Sequence, residues 1–178
     1  MKNNRKVVLF IAASLDGYIA TKEDSLEWLY NIEGEGDNGL SKFYGTADTI
    51  IMGKRTYDWL LDQELESFPY KGKECYVYTR SDIPDNEDVR FARDNVAELI
   101  AELQEKPGDK IWVMGGSELI QQYLEEDLID EITVTVAPVI IGEGIPLFRE
   151  GKYHLDLELT GTETYNQFVE LNYKVKRS

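Results

Sequence analysis

The stretch Ile-Trp-Val-Met-Gly-Gly-Ser-Glu, residues 111–118, decides the interpretation of the fold. Its first four residues form a continuous apolar run, which is typical of a strand buried on both faces of a parallel sheet. A pair of glycines ends the run, and residues 118–125 carry apolar side chains at helical spacing. The stretch therefore predicts a strand, a tight turn and a helix, the unit from which parallel α/β sheets are built.

Short polar or glycine-containing segments also follow two other apolar runs, at residues 49–52 and 75–78. They comprise Gly53, Lys54, Arg55 and Thr56 after the first run, and Thr79, Arg80 and Ser81 after the second. In an open α/β sheet, ligands bind at the carboxyl ends of the strands, where helix N-termini offer free N–H groups. Glycines let a phosphate approach the backbone, hydroxyls donate hydrogen bonds and cations supply charge. We therefore expect a dinucleotide at this edge, and the cations favour NADP over NAD.

The remaining pattern completes an α/β fold. Residues 7–13 and 74–78 predict buried strands, and residues 25–30, 40–44 and 56–61 predict short helices. Asn95 is the expected N-cap of a helix with apolar positions 96, 99, 100 and 103. Alternating apolar residues predict half-buried strands at 132–136, 155–159 and 169–175, the last two forming a hairpin. We predict a single domain over residues 1–178, with a mostly parallel central sheet, flanking helices and a C-terminal antiparallel hairpin.

Composition excludes several classes of protein. The 178 residues include 19 Lys+Arg and 34 Asp+Glu, a net charge of −15, so the chain repels polyanions and we expect no nucleic-acid partner. A single cysteine, Cys75, excludes an internal disulfide and a multi-cysteine zinc site, and its apolar neighbours favour a buried thiol. The apolar segment 7–15 is shorter than the ~20 residues that span a bilayer. No small-residue cleavage site follows it, so we expect a cytoplasmic protein without a membrane partner.

Four segments resemble the dihydrofolate-reductase superfamily. The segments IIMGKRTY (50–57) and IWVMGG (111–116) are similar to the two phosphate-binding turns of dihydrofolate reductases. The segments SLDGYIA (14–20) and LIDE with APVIIGEGIPLF (128–131 and 137–148) resemble the N- and C-terminal signatures of the reductase domain of bacterial riboflavin biosynthesis. The resemblance covers residues 7–175. It implies a dihydrofolate-reductase-like fold and an NADPH-dependent reductase similar to stand-alone bacterial proteins of this branch.

The resemblance also implies where the cofactor lies and that the protein is a homodimer. It places Ala13 and Ile19 beside the nicotinamide. The residues implied to hold phosphate or line the pyrophosphate are Gly53, Lys54, Arg55, Thr56, Met114, Gly115, Gly116, Ser117 and Glu118. Those implied near the adenosine ribose and its 2′-phosphate are Thr79, Arg80 and Ser81. An apolar face on the strand at 132–136 agrees with the implied dimer.

The segments implied to bind the substrate depart from the family pattern. Near the helix at 40–44, only Asp37 resembles the acid by which dihydrofolate reductases bind a pterin. Only Lys42 could replace the arginines by which riboflavin-pathway reductases bind a ribose phosphate, and Met114 stands where those reductases tend to carry an acid. Asp16 and Asp37 are candidate proton donors, with ordered water as the alternative. We expect hydride transfer to a small heterocyclic or ribosylamino substrate. The alternatives are a dihydrofolate or pterin reductase and a non-catalytic nucleotide-binding protein.

Overall fold

The computed structural model describes residues 5–177, which form ten strands and five helices. The strands are β1 (Val7–Ser14), β2 (Tyr18–Ala20), β3 (Ala47–Gly53), β4 (Glu74–Tyr78), β5 (Arg90–Ala92), β6 (Lys110–Gly115), β7 (Glu131–Ala137), β8 (Ile145–Pro146), β9 (Leu157–Tyr165) and β10 (Phe168–Val175). The helices are α1 (Glu27–Tyr30), α2 (Leu40–Tyr44), α3 (Lys54–Leu61), α4 (Val96–Gln104) and α5 (Ser117–Glu125). Within these described residues, no helix has both the length and the apolar character needed to cross a membrane.

Eight strands form the central sheet, in the order β5-β4-β3-β6-β1-β7-β10-β9. The first six are parallel to one another, whereas β10 is antiparallel to both β7 and β9. The central strand is β1, in which Leu9 lies opposite Val113 of β6 and Ile132 of β7. Strands β2 and β8 form a separate antiparallel pair. The predicted mostly parallel sheet with a C-terminal antiparallel hairpin is confirmed.

Helices cover both faces of the parallel part of the sheet. On one face, apolar side chains of α4 and α5, including Leu103 and Ile120, pack against β1 and β6. On the other face, α2 and α3 pack over an aromatic cluster in which Phe43 stacks on Phe10 with ring centroids 4.1 Å apart. Because the helices bury both faces, the carboxyl ends of the parallel strands form the accessible edge of the sheet.

A buried arginine joins several elements at the opposite edge. Arg5 is 5% exposed and forms an ion pair with Asp48, next to the start of β3. Its guanidinium also donates to the carbonyl oxygens of Leu103 and Asp109, and to the hydroxyl of Thr49 at 2.9 Å. These contacts satisfy a buried charge and connect β1, β3, α4 and β6.

Two expectations about the elements are corrected. Helix α3 begins at Lys54 and α5 at Ser117, so both helices start directly after their glycine turns. The alternating leucines of β9 are not half-buried, since Leu157 is 37% and Leu159 56% exposed. The reason is that β9 is the edge strand of the sheet, where most residues on both faces stay accessible.

Candidate active site

A cleft of about 700 Å³ opens at the carboxyl edge of the parallel strands. The turns after β3, β4 and β6 meet there, as the sequence pattern predicts for an α/β sheet. The expected cofactor residues that line the cleft are Ile19, Gly53, Lys54, Arg55, Thr56, Thr79, Arg80, Met114, Gly116, Ser117 and Glu118. Three others do not line it: Ala13 and Gly115 are buried behind the surface, and Ser81 is exposed beside it.

The two adjacent glycines of the β6–α5 turn have different surroundings. Gly115 has a φ of 116°, a backbone conformation that side chains rarely adopt. Gly116 has an ordinary φ of −75°, and a Cβ there would meet Thr56 Oγ1 at 3.6 Å, a normal contact. Neither the φ nor the packing around position 116 therefore requires glycine there. Open space beside this backbone, at the start of a helix, fits the close approach of a phosphate.

Four of the cations that line the cleft are paired with acids. Lys54 pairs with Asp58, Arg55 with Asp24, Arg80 with Glu118 and Arg93 with Asp82. These pairs are largely exposed, and exposed ion pairs contribute about 0–1 kcal/mol each. The cations can therefore exchange their carboxylate partners for phosphate oxygens at little cost.

Arg149 is a cleft cation that the sequence analysis missed. Its Nε donates to Ser117 Oγ at 3.0 Å, and no carboxylate of the described residues pairs with it. The Ser117 hydroxyl in turn donates to the carbonyl of Pro146, so it fixes Arg149 rather than offering a free donor to a ligand. This arrangement directs an unpaired guanidinium toward the β6–α5 turn. No motif could reveal it, because Arg149 lies in a segment after β8 that is remote in sequence from the turn.

The two candidate proton donors lie outside the cleft lining. Asp16 accepts hydrogen bonds from Ser14 Oγ at 2.7 Å and from the backbone N–H groups of Ile141 and Gly142. These bonds, led by that of Ser14, hold the pKa of Asp16 below its ordinary value of 3.8. The carboxylate thus joins the β1–β2 turn to the loop before β8, and it is stabilised in its charged form.

Asp37 is held in a similar way at the start of α2. The hydroxyl and the backbone N–H of Ser41 both donate to Asp37 Oδ2, and they lower the pKa of this carboxyl group. A general acid at neutral pH needs a raised pKa, so this environment favours neither aspartate as the donor. The acidic residues that do line the cleft are Asp24, Asp94 and Glu118.

The part of the cleft beyond the glycine turns is apolar. Leu26 and Leu29 lie at α1, Trp59 lies on α3, and Tyr70 completes this wall. No sequence pattern predicts this wall, because isolated apolar residues in short helices and loops form no motif. Lys42, the expected phosphate-binding residue of α2, lines a different cavity of about 400 Å³ and not this cleft.

Neither a nucleophilic cysteine nor a metal cluster is found in the part of the chain that the structure describes. Cys75 is 4% exposed, and burial, with smaller effects of Asp88 and Glu74, raises the pKa of its thiol to about 12. This agrees with the expectation of a buried, inert thiol. No three His, Cys, Asp or Glu side chains in residues 5–177 are grouped to hold a metal ion.

Comparison with known proteins agrees with the fold. The model of the RibD C-terminal domain matches residues 5–171. The uncharacterized protein YwjB of Bacillus subtilis is 46% identical over 170 residues, which cover 95% of this chain and 97% of YwjB.

Two solved structures are also similar. A Shewanella sp. PV-4 protein, provisionally assigned to riboflavin biosynthesis, superposes with a TM-score of 0.87 at 31% identity, covering 97% of this chain and 99% of that one. A Thermotoga maritima diaminohydroxyphosphoribosylaminopyrimidine deaminase/5-amino-6-(5-phosphoribosylamino)uracil reductase gives a TM-score of 0.71 at 17% identity. That match covers 97% of this chain and 57% of the Thermotoga chain, and it shows the fold alone.

Proposed function

The chain belongs to the RibD C-terminal domain family, and from this premise we propose that it is an NADPH-dependent reductase. The observation that carries the proposal is the convergence of three glycine or hydroxyl turns and five cations in one cleft. In a chain with a net charge of −15, such a concentration of positive charge favours a phosphate-rich ligand.

The cleft residues fit a bound dinucleotide. We assign the pyrophosphate to the β3–α3 and β6–α5 turns, where Thr56 lies beside Gly116 and Arg149 is bonded to Ser117. We assign the adenosine 2′-phosphate to Thr79 and Arg80, after β4. NADPH bound there supplies a hydride from its nicotinamide.

The protein's own part in the reaction is to orient the cofactor and the acceptor and to exclude bulk water. The acceptor is a C=N or C=O group of a small heterocyclic or ribosylamino compound. Because Asp16 and Asp37 are outside the cleft lining, we assign the proton to water. A pterin is disfavoured as the substrate, because Asp37 is bonded to Ser41 instead of facing the cleft.

Cofactor titration tests this function. We expect NADPH to bind at least about tenfold more tightly than NADH, since a charge-assisted hydrogen bond contributes roughly 1.5–3 kcal/mol. Arg80→Ala should remove most of this preference and leave NADH binding nearly unchanged. Arg90→Ala, which removes the same charge from β5 outside the cleft lining, is the matched control.

Calorimetry gives both dissociation constants directly. Equal affinities for NADPH and NADH in the unmodified protein would contradict the assignment of Arg80 to the 2′-phosphate. A protein that binds neither nucleotide would contradict the proposed function as a whole.

A further inference from the structure

A second cavity, of about 400 Å³, lies between α2 and the strands β1, β7, β10 and β9. Its lining shares no residue with that of the cleft at the carboxyl edge. Small-molecule sites in proteins commonly have this size. The charged residues that line the cavity are Lys42, Lys110, Glu131, Glu163, Glu170 and Lys174. The cavity is therefore a candidate binding site that is independent of the proposed reductase function.

The floor of the cavity is a chain of hydrogen bonds that ends on Glu170. Thr133 Oγ1 donates to Asn172 Oδ1 at 2.8 Å, and Asn172 Nδ2 donates to Glu170 Oε1 at 3.0 Å. Glu170 is only 8% exposed, and among residues 5–177 its carboxylate forms no other hydrogen bond and no ion pair. A buried carboxylate without a cationic partner is unfavourable. Its second oxygen, Oε2, is thus available to a ligand.

A second carboxylate and an aromatic ring border the same end of the cavity. Glu163 lies directly opposite Glu170 in the pairing of β9 with β10, and like charges at such positions repel each other. Gly39 leaves Glu170 Oε2 uncovered, since a Cβ there would lie only 3.3 Å from this oxygen. Burial raises the pKa of the Tyr165 hydroxyl, and so do the nearby charges of Glu170 and Glu163. We call the part formed by Glu163, Glu170 and Tyr165 the acidic end.

The lysines of the cavity do not neutralise the acidic end. Lys110 Nζ pairs with Glu131 at 3.1 Å, and Lys174 lies opposite Glu131 in the strand register. Lys42 of α2 forms no ion pair within the described part of the chain, and a single lysine cannot balance two carboxylates. The acidic end therefore favours a cation. No three metal-binding side chains are grouped in residues 5–177, so an organic cation fits better than a metal ion.

We propose that this cavity binds a small organic cation, a primary ammonium ion with a short apolar body. The ammonium group lies between Glu163 and Glu170, to which it donates charge-assisted hydrogen bonds. The ring of Tyr165 adds a cation–π contact. Phe10 and Phe43, which stack at 4.1 Å between ring centroids, also line the cavity and provide the apolar contacts for the body of the ligand.

Phenethylamine and 2-phenylethanol are matched probes for this site. They share the ring and the two-carbon chain and differ in an ammonium or a hydroxyl group. Calorimetry at about 0.15 M salt, where long-range attraction between exposed charges is largely screened, measures both affinities. We expect the amine to bind at least about tenfold more tightly than the alcohol. The anion 3-phenylpropionate should bind more weakly than either.

Three variants locate the bound amine. Glu170→Gln removes the charge but keeps an acceptor for Asn172, and Glu163→Gln changes an exposed side chain outside the core. Each should weaken phenethylamine binding by about tenfold and leave 2-phenylethanol binding unchanged. Glu158→Gln removes the same charge from β9 outside the cavity lining, and it should leave both affinities unchanged. Differential scanning calorimetry checks that each variant is folded.

The possible outcomes are distinct. Equal affinities for phenethylamine and 2-phenylethanol, or no measurable binding of either, overturn the proposal. Unchanged amine binding in Glu163→Gln and Glu170→Gln also overturns it, because the amine then binds elsewhere. An equal loss in Glu158→Gln does the same, since it shows attraction to the net charge of −15 alone. None of these results depends on NADPH, whose binding to the cleft is measured separately.

Discussion

Gly115 and Gly116 show how neighbouring identical residues can be required for different reasons. The positive φ of Gly115 makes glycine a requirement of the backbone itself. Gly116 has an ordinary φ of −75°, and it borders the cleft. A test of function must therefore change Gly116, because a change of Gly115 alters stability as well.

Gly116→Val should abolish measurable NADPH binding and leave the melting temperature close to that of the unmodified protein. The valine side chain fills the space that the proposed phosphate needs, while the buried faces of β6 and α5 are untouched. Fluorescence titration with NADPH and differential scanning calorimetry check the two quantities separately.

Gly115→Val provides the contrast for this experiment. A side chain at a φ of 116° is strained, so this variant should lose stability by about 1–3 kcal/mol. If Gly116→Val binds NADPH normally, the assignment of this turn to the cofactor is wrong, whatever the melting temperature.

At the scale of elements, helices with a regular apolar spacing could be predicted reliably from the sequence. Helix α4 is an example, since Val96, Leu99, Ile100 and Leu103 are all buried as their spacing predicts. Its cap is also confirmed, because Asn95 Oδ1 accepts a hydrogen bond from the backbone N–H of Ala97 at 2.7 Å. Helical periodicity and capping are local in sequence, so a single chain can reveal them.

Asn95→Ala should destabilise the protein by about 1 kcal/mol, because it leaves an N–H group at the start of α4 without its partner. Urea denaturation measures the change. Asn95→Ser keeps a side-chain acceptor and should restore most of the lost stability. Equal stability of the alanine and serine variants would show that the cap contributes nothing.

The sequence could not predict the shortest strands or the exposure of the edge strand. Strand β5 has three residues and begins with Arg90, and β8 has only Ile145 and Pro146, too few for any period to be visible. The alternation in β9 was visible, but whether its leucines are covered depends on the neighbours of that strand. For the same reason, motifs predicted the turns that meet at the cleft, whereas the apolar wall at Trp59 and Tyr70 arises only when distant segments meet.

At the scale of the whole molecule, the Arg5–Asp48 pair makes the free energy of unfolding depend on pH in the acidic range. Burial works against the charge of Asp48, yet bonds from the Asp109 N–H, the Thr49 hydroxyl and Arg5 lower its pKa below the ordinary 3.8. The stabilisation by the charged Asp48 carboxylate is therefore fully present at a pH above the ordinary pKa of 3.8. It is lost as the pH falls through the lower pKa that Asp48 has in the folded protein.

Asp48→Asn should test this dependence. The difference in unfolding free energy between the unmodified protein and the variant should be largest near neutral pH and shrink in acid, as measured by urea denaturation at each pH. The comparison isolates Asp48 from Asp16 and Asp37, whose pKa values shift in the same direction. A difference that stays constant with pH would contradict the assignment.

For the whole molecule we also propose that two copies of the chain form a homodimer. The register places Val169 beside Val136, Leu171 beside Val134 and Leu159 beside Tyr173, so these side chains share one face of β7, β10 and β9. Val169 is 41% and Leu159 56% exposed, which leaves an apolar surface for a second copy to cover.

Light scattering should give twice the 20.5 kDa of one chain. Leu159→Lys should shift the protein toward monomer, because it places a charge in the apolar face, whereas Leu61→Lys on α3 should not. A mass of one chain that does not change with protein concentration would contradict the dimer.

The central position of β1 has a consequence for synthesis on the ribosome. This apolar strand emerges early, but its parallel partners come from residues 111–113 and 131–137. The nascent chain must therefore carry an unpaired hydrophobic segment until β6 has left the exit tunnel, and both edges of β1 can be paired only after β7 has followed. Such a segment is a target for chaperones during translation, and pairing across so long a stretch of chain makes folding slow. We expect the sheet to form in a late step, after most of the polypeptide has been made.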